Sequence, residues 1–293
     1  MTLRHLKVFV AVCELNSITK AAQKLYITQP AVSCAIKELE DFYGVKLFDR
    51  ISKKLYLTEA GKSLLGYARH IVSLFEEMES NVRDLDKLVK LHIGASITIG
   101  THFMPVYVKN FETLHPQAEV NVTISSSELI ENKILQNELD FALIEGIVHE
   151  KSIICETYTS LDDELVLICN LNHPFCKEKV VTIEKLLSES FLLREKGSGT
   201  RELFDNVLAS QGYSVIPTWE STSTIALINA VINGLGISVL PYMLVKDSLS
   251  DGAIASVHID GLKFSRKFNI IYHKNKFLTT TAKSFIEMCK TTE

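Results

Sequence analysis

The sequence predicts an α/β protein that carries an all-α head at its N-terminus. Three observations support this fold class: helical periodicity over residues 1–57, one unbroken helical pattern from Thr58 to about Lys87, and short β-branched runs that alternate with helical stretches after Leu91. The chain has 293 residues, of which 46% are hydrophobic and 23% charged. A chain of this length and composition can bury more than one hydrophobic core, and it is not collagen-like, of low complexity or wholly disordered.

Charge is distributed unevenly along the chain. Residues 1–70 contain 11 Lys and Arg against 6 Asp and Glu, whereas residues 71–293 contain 20 against 29. The net charge of −4 therefore conceals a basic head on an acidic body. Such an asymmetry indicates that the head binds a polyanion and that the remainder has a different role.

The head is predicted to contain three short helices. The first follows from an apolar stripe at i, i+3, i+4, i+7 spacing, formed by Leu6, Phe9, Val10 and Cys13. Ser17 and Thr28 are expected to cap the second and third helices, and Pro30 fits the first turn of the third. Gly44 is expected to end it. Two helices joined by a tight turn within a basic segment indicate a helix-turn-helix.

The third helix is predicted to read DNA. Its outward arc combines short polar groups with one cation, which suits the major groove, and Gln29 can make bidentate hydrogen bonds to a base edge. The basic elbow that follows suits a wing that grips backbone phosphates. The predicted DNA-binding residues are Thr28, Gln29, Pro30, Ser33, Lys37, Arg50, Lys53 and Lys54. The alternative is a solvated helical bundle with incidental lysines.

The long helical pattern is predicted to mediate dimerisation. Its apolar residues recur at alternating spacings of 4 and 3, as in a coiled-coil seam. The predicted dimerisation residues are Leu64, Ala68, Ile71, Phe75, Met78, Val82 and Leu85. The alternative is a helix that packs only on its own domain.

The remainder of the chain is predicted to form a mostly parallel sheet with helices on both faces, arranged as two lobes around a cleft. The expected division is 1–58 for the DNA-binding domain, 59–88 for the linker helix and 89–293 for the ligand-binding region. Within the last, lobe I is expected to span about 89–161 plus 266–293, and lobe II about 162–265.

Ser- and Thr-rich corners follow several of the predicted strands. Hydroxyls and free N–H groups at helix starts favour an anionic ligand group. The predicted effector-binding residues are Ser96, Thr98, Ser125, Ser126, Ser198, Gly199, Thr200 and Thr222. Any one corner is explained equally well by helix capping, so the prediction depends on four corners occurring in one region.

The segment SITKAAQKLYITQPAVSCAIKELEDFYGVKLFDRISKKLYLTEAG resembles the N-terminal signature of the LysR-type transcriptional regulators. The resemblance extends along the whole chain and implies a winged helix-turn-helix, a linker helix and a two-lobed domain similar to type 2 periplasmic binding proteins. It also implies a cytoplasmic bacterial protein that binds double-stranded promoter DNA and a small-molecule effector. The expected assembly is a homotetramer built from dimers, and RNA polymerase is a further candidate partner.

Two details refine this resemblance. After Ser33 the family very often has a basic or long polar side chain, whereas this chain has Cys34, so no base contact is predicted from that position. LREKGSGTRELF resembles the subgroup that includes regulators of sulfur assimilation and carbon fixation. That subgroup suggests a small oxyanion or carboxylate as the effector.

Other functional classes fit the sequence less well. GxSxG, P-loop and HExxH motifs do not occur, so no catalytic residue is predicted and the protein is not expected to be an enzyme. The nine histidines show no metal-ligand spacing, and no metal or other cofactor is expected. A solute-binding protein would lack residues 1–57. No apolar run approaches the roughly 18 residues of a spanning helix, so no membrane partner is expected. A thiol-based redox regulator stays open, because Cys169 and Cys176 bracket the sequence LNHPF.

Overall fold

The computed structural model describes residues 1–51, 54–83, 89–178 and 180–291. The chain forms two compact units. The first contains residues 1–88 together with two short segments, Leu135–Glu138 and Asn275–Phe277, and the second contains the rest.

The first unit begins with three helices whose ends follow local sequence signals. These are α1 (Leu3–Leu15), α2 (Ile18–Lys24) and α3 (Gln29–Tyr43). The Ser17 Oγ accepts the N–H of Lys20 at 3.2 Å, and the Thr28 Oγ1 accepts the N–H of Ala31 at 3.4 Å, so both predicted caps are confirmed. Gly44 follows α3 in the left-handed region at φ 68°, as predicted.

A hairpin and a long helix complete this unit. Strands β1 (Phe48–Ile51) and β2 (Lys54–Leu57) pair antiparallel, and helix α4 spans Glu59–Arg83. The Thr58 Oγ1 joins these parts, because it donates to the Lys46 carbonyl at 2.7 Å and accepts the Gly61 N–H at 3.0 Å. A Cβ atom at Gly61 would collide with the carbonyl oxygen of Leu47. The glycine therefore allows α4 to start directly against the preceding loop.

The second unit is built on one seven-stranded sheet and one small pair. The strands are β3 (Val89–Ser96), β4 (Ala118–Ser125), β5 (Phe141–Glu145), β6 (Ile153–Cys169), β7 (Leu192–Arg194), β8 (Trp219–Ser221), β9 (Ser238–Pro241), β10 (Ala255–Val257) and β11 (Ser265–His273). The large sheet has the order β10-β6-β11-β5-β3-β4, with β9 also paired to β6, and β7 pairs with β8.

The predicted predominance of parallel pairing is wrong. Strand β3 is parallel to β4 and β5, but β11 is antiparallel to both β5 and β6, and β6 is antiparallel to β9 and β10. Moreover, the β-branched runs ICETYTS and ELVLICN, which indicated two strands, belong up to Cys169 to the single 17-residue strand β6. Whether a strand pairs parallel or antiparallel depends on the side from which the chain re-enters the sheet, and the composition of the strand does not indicate that side.

Helices cover this sheet. They are α5 (Ile97–His102), α6 (Met104–Leu114), α7 (Ser127–Leu135), α8 (Ile183–Leu187), α9 (Gly199–Ser210), α10 (Thr224–Ile232), α11 (Tyr242–Ser250) and α12 (Thr280–Thr291), with a 3-10 helix at Pro174–Lys177. Helices α5 and α11 were not predicted. In the described part of the chain, none of the helices has the length and apolarity needed to cross a membrane.

Two main hydrophobic cores divide the second unit into lobes. The core of lobe I takes its buried residues from 91–158 and 268–289, and that of lobe II takes them from 165–264. Strand β6 contributes buried residues to both cores, and the stretch of β6 between those residues contains Asp163, which pairs with Arg266 of β11. These two residues lie directly opposite each other in the antiparallel ladder.

Candidate functional site

The outward arc of α3 presents most of the predicted DNA-contacting residues. Gln29, Pro30 and Lys37 are exposed, Thr28 is exposed at the cap and Ser33 is half-buried. The opposite face contributes Val32, Ile36 and Leu39 to the core of the first unit. Of the predicted wing residues, Arg50 lies in β1 and Lys54 in β2, with side chains that are not described, and Lys53 lies outside the described residues.

Sequence analysis did not anticipate an acidic group on this arc. The exposed Cys34 thiol donates to the Glu38 Oε1 at 3.2 Å, and the Glu38 Oε2 lies 2.6 Å from the His5 Nε2. The His5 Nδ1 accepts the N–H of Thr2, so its Nε2 carries the proton that Glu38 receives. Hydrogen bonds from His5 and Cys34 lower the pKa of Glu38, while Glu38 raises the pKa of the Cys34 thiol. Cys34 is therefore hydrogen-bonded to a carboxylate on the helix face that is predicted to contact DNA.

A second carboxylate connects α3 to the hairpin. The Glu40 Oε1 accepts the N–H groups of Leu47 and Phe48 at 2.9 and 3.3 Å, and its Oε2 accepts the Lys46 ammonium at 2.9 Å. Burial acts to raise the pKa of Glu40, but these hydrogen bonds outweigh it and lower the pKa. The wing is thus fixed to the end of α3 by hydrogen bonds to a charged group.

The predicted seam residues of α4 divide between two environments. Ala68 is fully buried in the core of the first unit and Leu64 packs against that core, while the Phe75 ring lies under the Lys7 ammonium of α1 at 5.4 Å. These three residues face α1 because α4 also closes the domain that precedes it. Ile71 and Met78 are exposed; the Val82 side chain and Leu85 are not described.

The exposed apolar stripe on α4 has another register. It consists of Tyr67, Ile71, Leu74 and Met78, which are 63%, 47%, 47% and 50% exposed. Their spacing of 4, 3 and 4 is the same seam pattern, displaced around the helix from the predicted one. We call these four residues the α4 stripe.

In the second unit, Arg266 is the centre of a buried polar cluster between the lobes. Its side chain is 4% exposed. Its Nε donates to the Asp163 Oδ2 at 2.7 Å, and its Nη2 lies 2.6 Å from the same oxygen and 3.4 Å from the Glu145 Oε1. The Nη2 also donates to the Thr98 Oγ1 and the Nη1 to the Thr200 Oγ1, both at 3.2 Å. Arg266 therefore binds hydroxyls from α5 of lobe I and from α9 of lobe II.

Glu145 organises the lobe I side of this cluster. Its carboxylate accepts the hydroxyls of Ser96 and of Thr98, the latter at 3.1 Å, and its backbone carbonyl accepts the Ser127 hydroxyl at 3.2 Å. A Cβ atom at Gly199 would collide with that same carbonyl. Gly199 thus allows the start of α9 to approach the end of β5.

The cluster contains two carboxylates for one guanidinium. Burial raises the pKa of Asp163, and the Arg266 charge and hydrogen bond oppose that shift without cancelling it. Within the described residues, the Asp163 Oδ1 is buried and has no hydrogen-bond partner. Burial therefore favours the protonated form of Asp163.

A further arginine lies on the lobe II side. The buried Arg194 pairs with Glu195 through two contacts of 2.8 Å, and its Nη1 lies 3.5 Å from the Thr224 Oγ1. Its backbone carbonyl accepts the Arg201 Nη1 at 3.0 Å. These bonds fix the corner between β7 and the start of α10.

The predicted effector residues divide into two groups. Ser96, Thr98 and Thr200 meet around Glu145 and Arg266, with Gly199 beside them. The others are not shown bonded to the cluster: Ser198 is buried at the start of α9, Ser125 ends β4, Ser126 lies between β4 and α7, and Thr222 is exposed before α10.

Asp163, Arg266 and Thr224 were not predicted as site residues, and no role was predicted for Glu145. A signal for Arg266 exists: it shares period-2 parity with the buried Phe268 and Ile270, so it had to point into the sheet core. Among the described residues, no group of three His, Cys, Asp or Glu side chains could hold a metal ion.

Comparison with known protein families identifies both parts of the chain. Residues 3–62 match the bacterial regulatory helix-turn-helix proteins of the lysR family, and residues 89–293 match the LysR substrate binding domain. The chain is 34% identical over 287 residues to the HTH-type transcriptional regulator CysL of Bacillus subtilis (strain 168), covering 97% of this chain and 95% of CysL.

Solved structures show the same fold. A full-length OxyR variant from Pseudomonas aeruginosa superposes with a TM-score of 0.74 at 22% identity, covering 99% of this chain and 93% of that one. The regulatory domain of CcmR from Synechocystis PCC6803, in complex with 2-PG, superposes with a TM-score of 0.63 at 25% identity, covering 69% of this chain and 95% of that one.

Proposed function

This chain belongs to the LysR family of transcriptional regulators, and we propose that a small anionic effector, bound between the two lobes at Arg266, controls its binding to promoter DNA in the bacterial cytoplasm. One observation carries the proposal. Arg266 is a buried cation that bonds to Thr98 of lobe I and to Thr200 of lobe II, so a ligand at this point senses the relative position of the lobes.

The effector competes with Asp163 for the guanidinium. In the present arrangement, Asp163 occupies the Arg266 donors that an effector carboxylate or oxyanion would accept. Asp163 becomes neutral when it takes up a proton, and its raised pKa makes this step accessible. One anion and one proton then enter together, so the net charge of the buried cluster does not change.

Effector binding acts as a population shift between lobe arrangements. A ligand that bonds to Thr98 and Thr200 together favours the closed arrangement by the difference in its affinity for the two states. The regulatory domain of CcmR, a protein of similar fold, was solved with 2-PG, which supports a small ligand in a domain of this kind.

Thermal shift tests the effector site. The full-length protein would be screened against small carboxylates and sulfur oxyanions, since a ligand that binds only the folded state raises the melting temperature. Thr98→Val and Thr200→Val remove the hydroxyls with little change in shape, and Thr98→Ser and Thr200→Ser retain them as controls. We expect the shift to be lost in the valine variants and kept in the serine variants. A shift that survives both valine changes, or one produced only by cations, would refute the proposal.

Two copies are proposed to pair through the α4 stripe. Four large apolar side chains at seam spacing on one helix face bury their surface when they meet the same stripe of a second chain. Such dimers are proposed to associate further into a homotetramer. Light scattering of Ile71→Glu should give a lower mass than wild type, whereas Ile216→Glu, at a position 92% exposed and outside α4, should not. An unchanged mass for Ile71→Glu would exclude this interface.

A further inference from the structure

Two thiols in lobe II lie close enough to react with each other. The Cys169 and Cys176 Sγ atoms are 3.7 Å apart. Cys169 is the last residue of β6 and is fully buried in the lobe II core, whereas Cys176 is exposed in the 3-10 helix. The two side chains therefore belong to separate elements that already bring their sulfur atoms together.

The loop between the two thiols is held by its own hydrogen bonds. The His173 N–H donates to the Asn170 carbonyl at 2.9 Å, the Cys176 N–H donates to the His173 carbonyl at 3.0 Å, and the Phe175 side chain is buried in the lobe II core. A disulfide has an S–S length of about 2.05 Å. Closing the gap therefore requires side-chain rotation within a turn that is already formed.

The surroundings give the two thiols different roles. Burial, and then the hydrogen bond shared with Cys176, raise the pKa of Cys169 to about 12, so Cys169 stays a protonated thiol that solvent does not reach. Cys176 is exposed, and its thiol donates to the Asn170 carbonyl at 3.3 Å. An oxidant from solution meets Cys176 first, and Cys169 is the neighbour that can trap the product.

We propose that Cys169 and Cys176 form a redox-modification site that closes to an intramolecular disulfide when a hydroperoxide oxidises the protein. In the first step the Cys176 sulfur attacks the peroxide, the O–O bond breaks, and Cys176 sulfenic acid and one water or alcohol are formed. In the second step the Cys169 sulfur attacks the Cys176 sulfur, the S–S bond forms as the S–O bond breaks, and the leaving hydroxide takes the Cys169 thiol proton and departs as water. Two thiols are oxidised and one peroxide is reduced.

This site is separate from the proposed effector site. Cys169 is six residues beyond Asp163 on β6, which is about 20 Å along an extended strand. Because Cys169 belongs to the lobe II core and Cys176 to the surface, the disulfide fastens the 3-10 helix to the end of β6. Oxidation is thus a second input to lobe II that does not require the effector.

Peptide mass spectrometry of the full-length protein tests the proposal. The reduced protein would be treated with stoichiometric hydrogen peroxide, alkylated and digested. The expected product is one peptide pair linked through Cys169 and Cys176, which dithiothreitol separates. Cys176→Ser should abolish the link, and Cys169→Ser should leave Cys176 as a sulfenic acid that dimedone traps. Cys155→Ser is the matched control, because Cys155 is another exposed cysteine and its removal should leave the link intact.

Thermal unfolding gives an independent readout. A disulfide that fits the native geometry should raise the melting temperature of the wild-type protein by roughly 5 °C. Oxidation of Cys34 or Cys155 without a Cys169–Cys176 link would overturn the proposal. So would a link that lowers the melting temperature, because the thiols would then not be positioned for the bond.

Discussion

Removing the charge of Arg266 should be far more costly than removing the charge of Asp163, although the two residues form one ion pair. Arg266→Met leaves Glu145 and Asp163 buried without a counter-charge. Asp163→Asn leaves one carboxylate and one guanidinium, and the asparagine amide retains an oxygen for the Arg266 Nε. The charges of the cluster therefore predict a large loss of stability for Arg266→Met and a small change for Asp163→Asn, although both residues belong to the same ion pair.

The magnitude follows from the burial of these groups. Breaking a buried ion pair by removing one partner costs about 3–5 kcal/mol, a large part of the roughly 5–15 kcal/mol that stabilises a domain. In Arg266→Met the stranded Asp163 can take up a proton, and this costs about 1.4 kcal/mol per pH unit above its unfolded pKa. The loss should therefore shrink by about 2–3 kcal/mol between about pH 7 and about pH 5.

The sign differs for Asp163→Asn. The pKa of Asp163 is raised above its ordinary value of 3.8, so the folded protein binds more protons than the unfolded chain, and the contribution of Asp163 to stability falls as pH rises from that value. Asp163→Asn removes this dependence, and we expect it to change the free energy of unfolding by no more than about 1 kcal/mol near neutral pH.

Urea unfolding of both variants at about pH 5 and about pH 7 measures these free energies. If the two variants lost nearly the same free energy of unfolding at neutral pH, the cluster would not contain an excess of carboxylate charge. A loss for Arg266→Met that is the same at both pH values would show that Glu145 and Asp163 are not the groups left uncompensated.

Three further predictions concern the head and the effector. Gly61→Ala should destabilise the protein by about 1–3 kcal/mol, because the added Cβ meets a backbone carbonyl. Gly66→Ala should stabilise the protein by about 0.5–1 kcal/mol, because the space around Gly66 is open. Equal urea midpoints for the two variants would contradict both predictions. Gln29→Ala should reduce the preference for the promoter sequence, while Lys54→Ala should weaken binding to all DNA and lower the slope of log affinity against log salt by about one phosphate contact. Fluorescence anisotropy over a salt series measures both effects. An unchanged salt slope for Lys54→Ala would show that Lys54 makes no phosphate contact. An anionic effector should bind more tightly as pH falls, with uptake of up to one proton; calorimetry in buffers of different ionisation enthalpy would show no uptake if Asp163 keeps its charge.

Local signals were sufficient to predict the head. Ser17, Thr28 and Gly44 begin or end helices through bonds and dihedral angles that involve only a few neighbouring residues, so the sequence alone locates them. The dimerisation residues predicted on α4 come from two apolar faces of that helix, and their role in pairing stays a prediction. Only the packing of Ala68 against the core of the first unit shows which face is used within the chain.

The candidate effector site was only partly predictable for a related reason. Ser96 and Thr200 could be found because a hydroxyl at a strand-to-helix corner is a local pattern. Asp163 and Arg266 are 103 residues apart, and they meet because β6 and β11 pair antiparallel with those two residues in register. Sequence analysis expected a mostly parallel sheet, and that expectation did not bring these residues together.

Stability alone does not explain why the polar cluster is buried between the lobes, because desolvating its charged groups costs free energy. Apolar side chains of similar volume between the lobes would stabilise the domain as well as Arg266, Glu145 and Asp163 do, or better, because desolvation offsets much of the attraction within a buried ion pair. Within the described residues, the cluster has one carboxylate more than it has guanidinium groups, and one carboxylate oxygen lacks a partner. An arrangement of the lobes that supplied a donor to this oxygen would gain a bond, so the incomplete cluster would lower the free-energy difference between lobe arrangements. That property suits an effector-controlled switch, which requires two states within a few kcal/mol of each other.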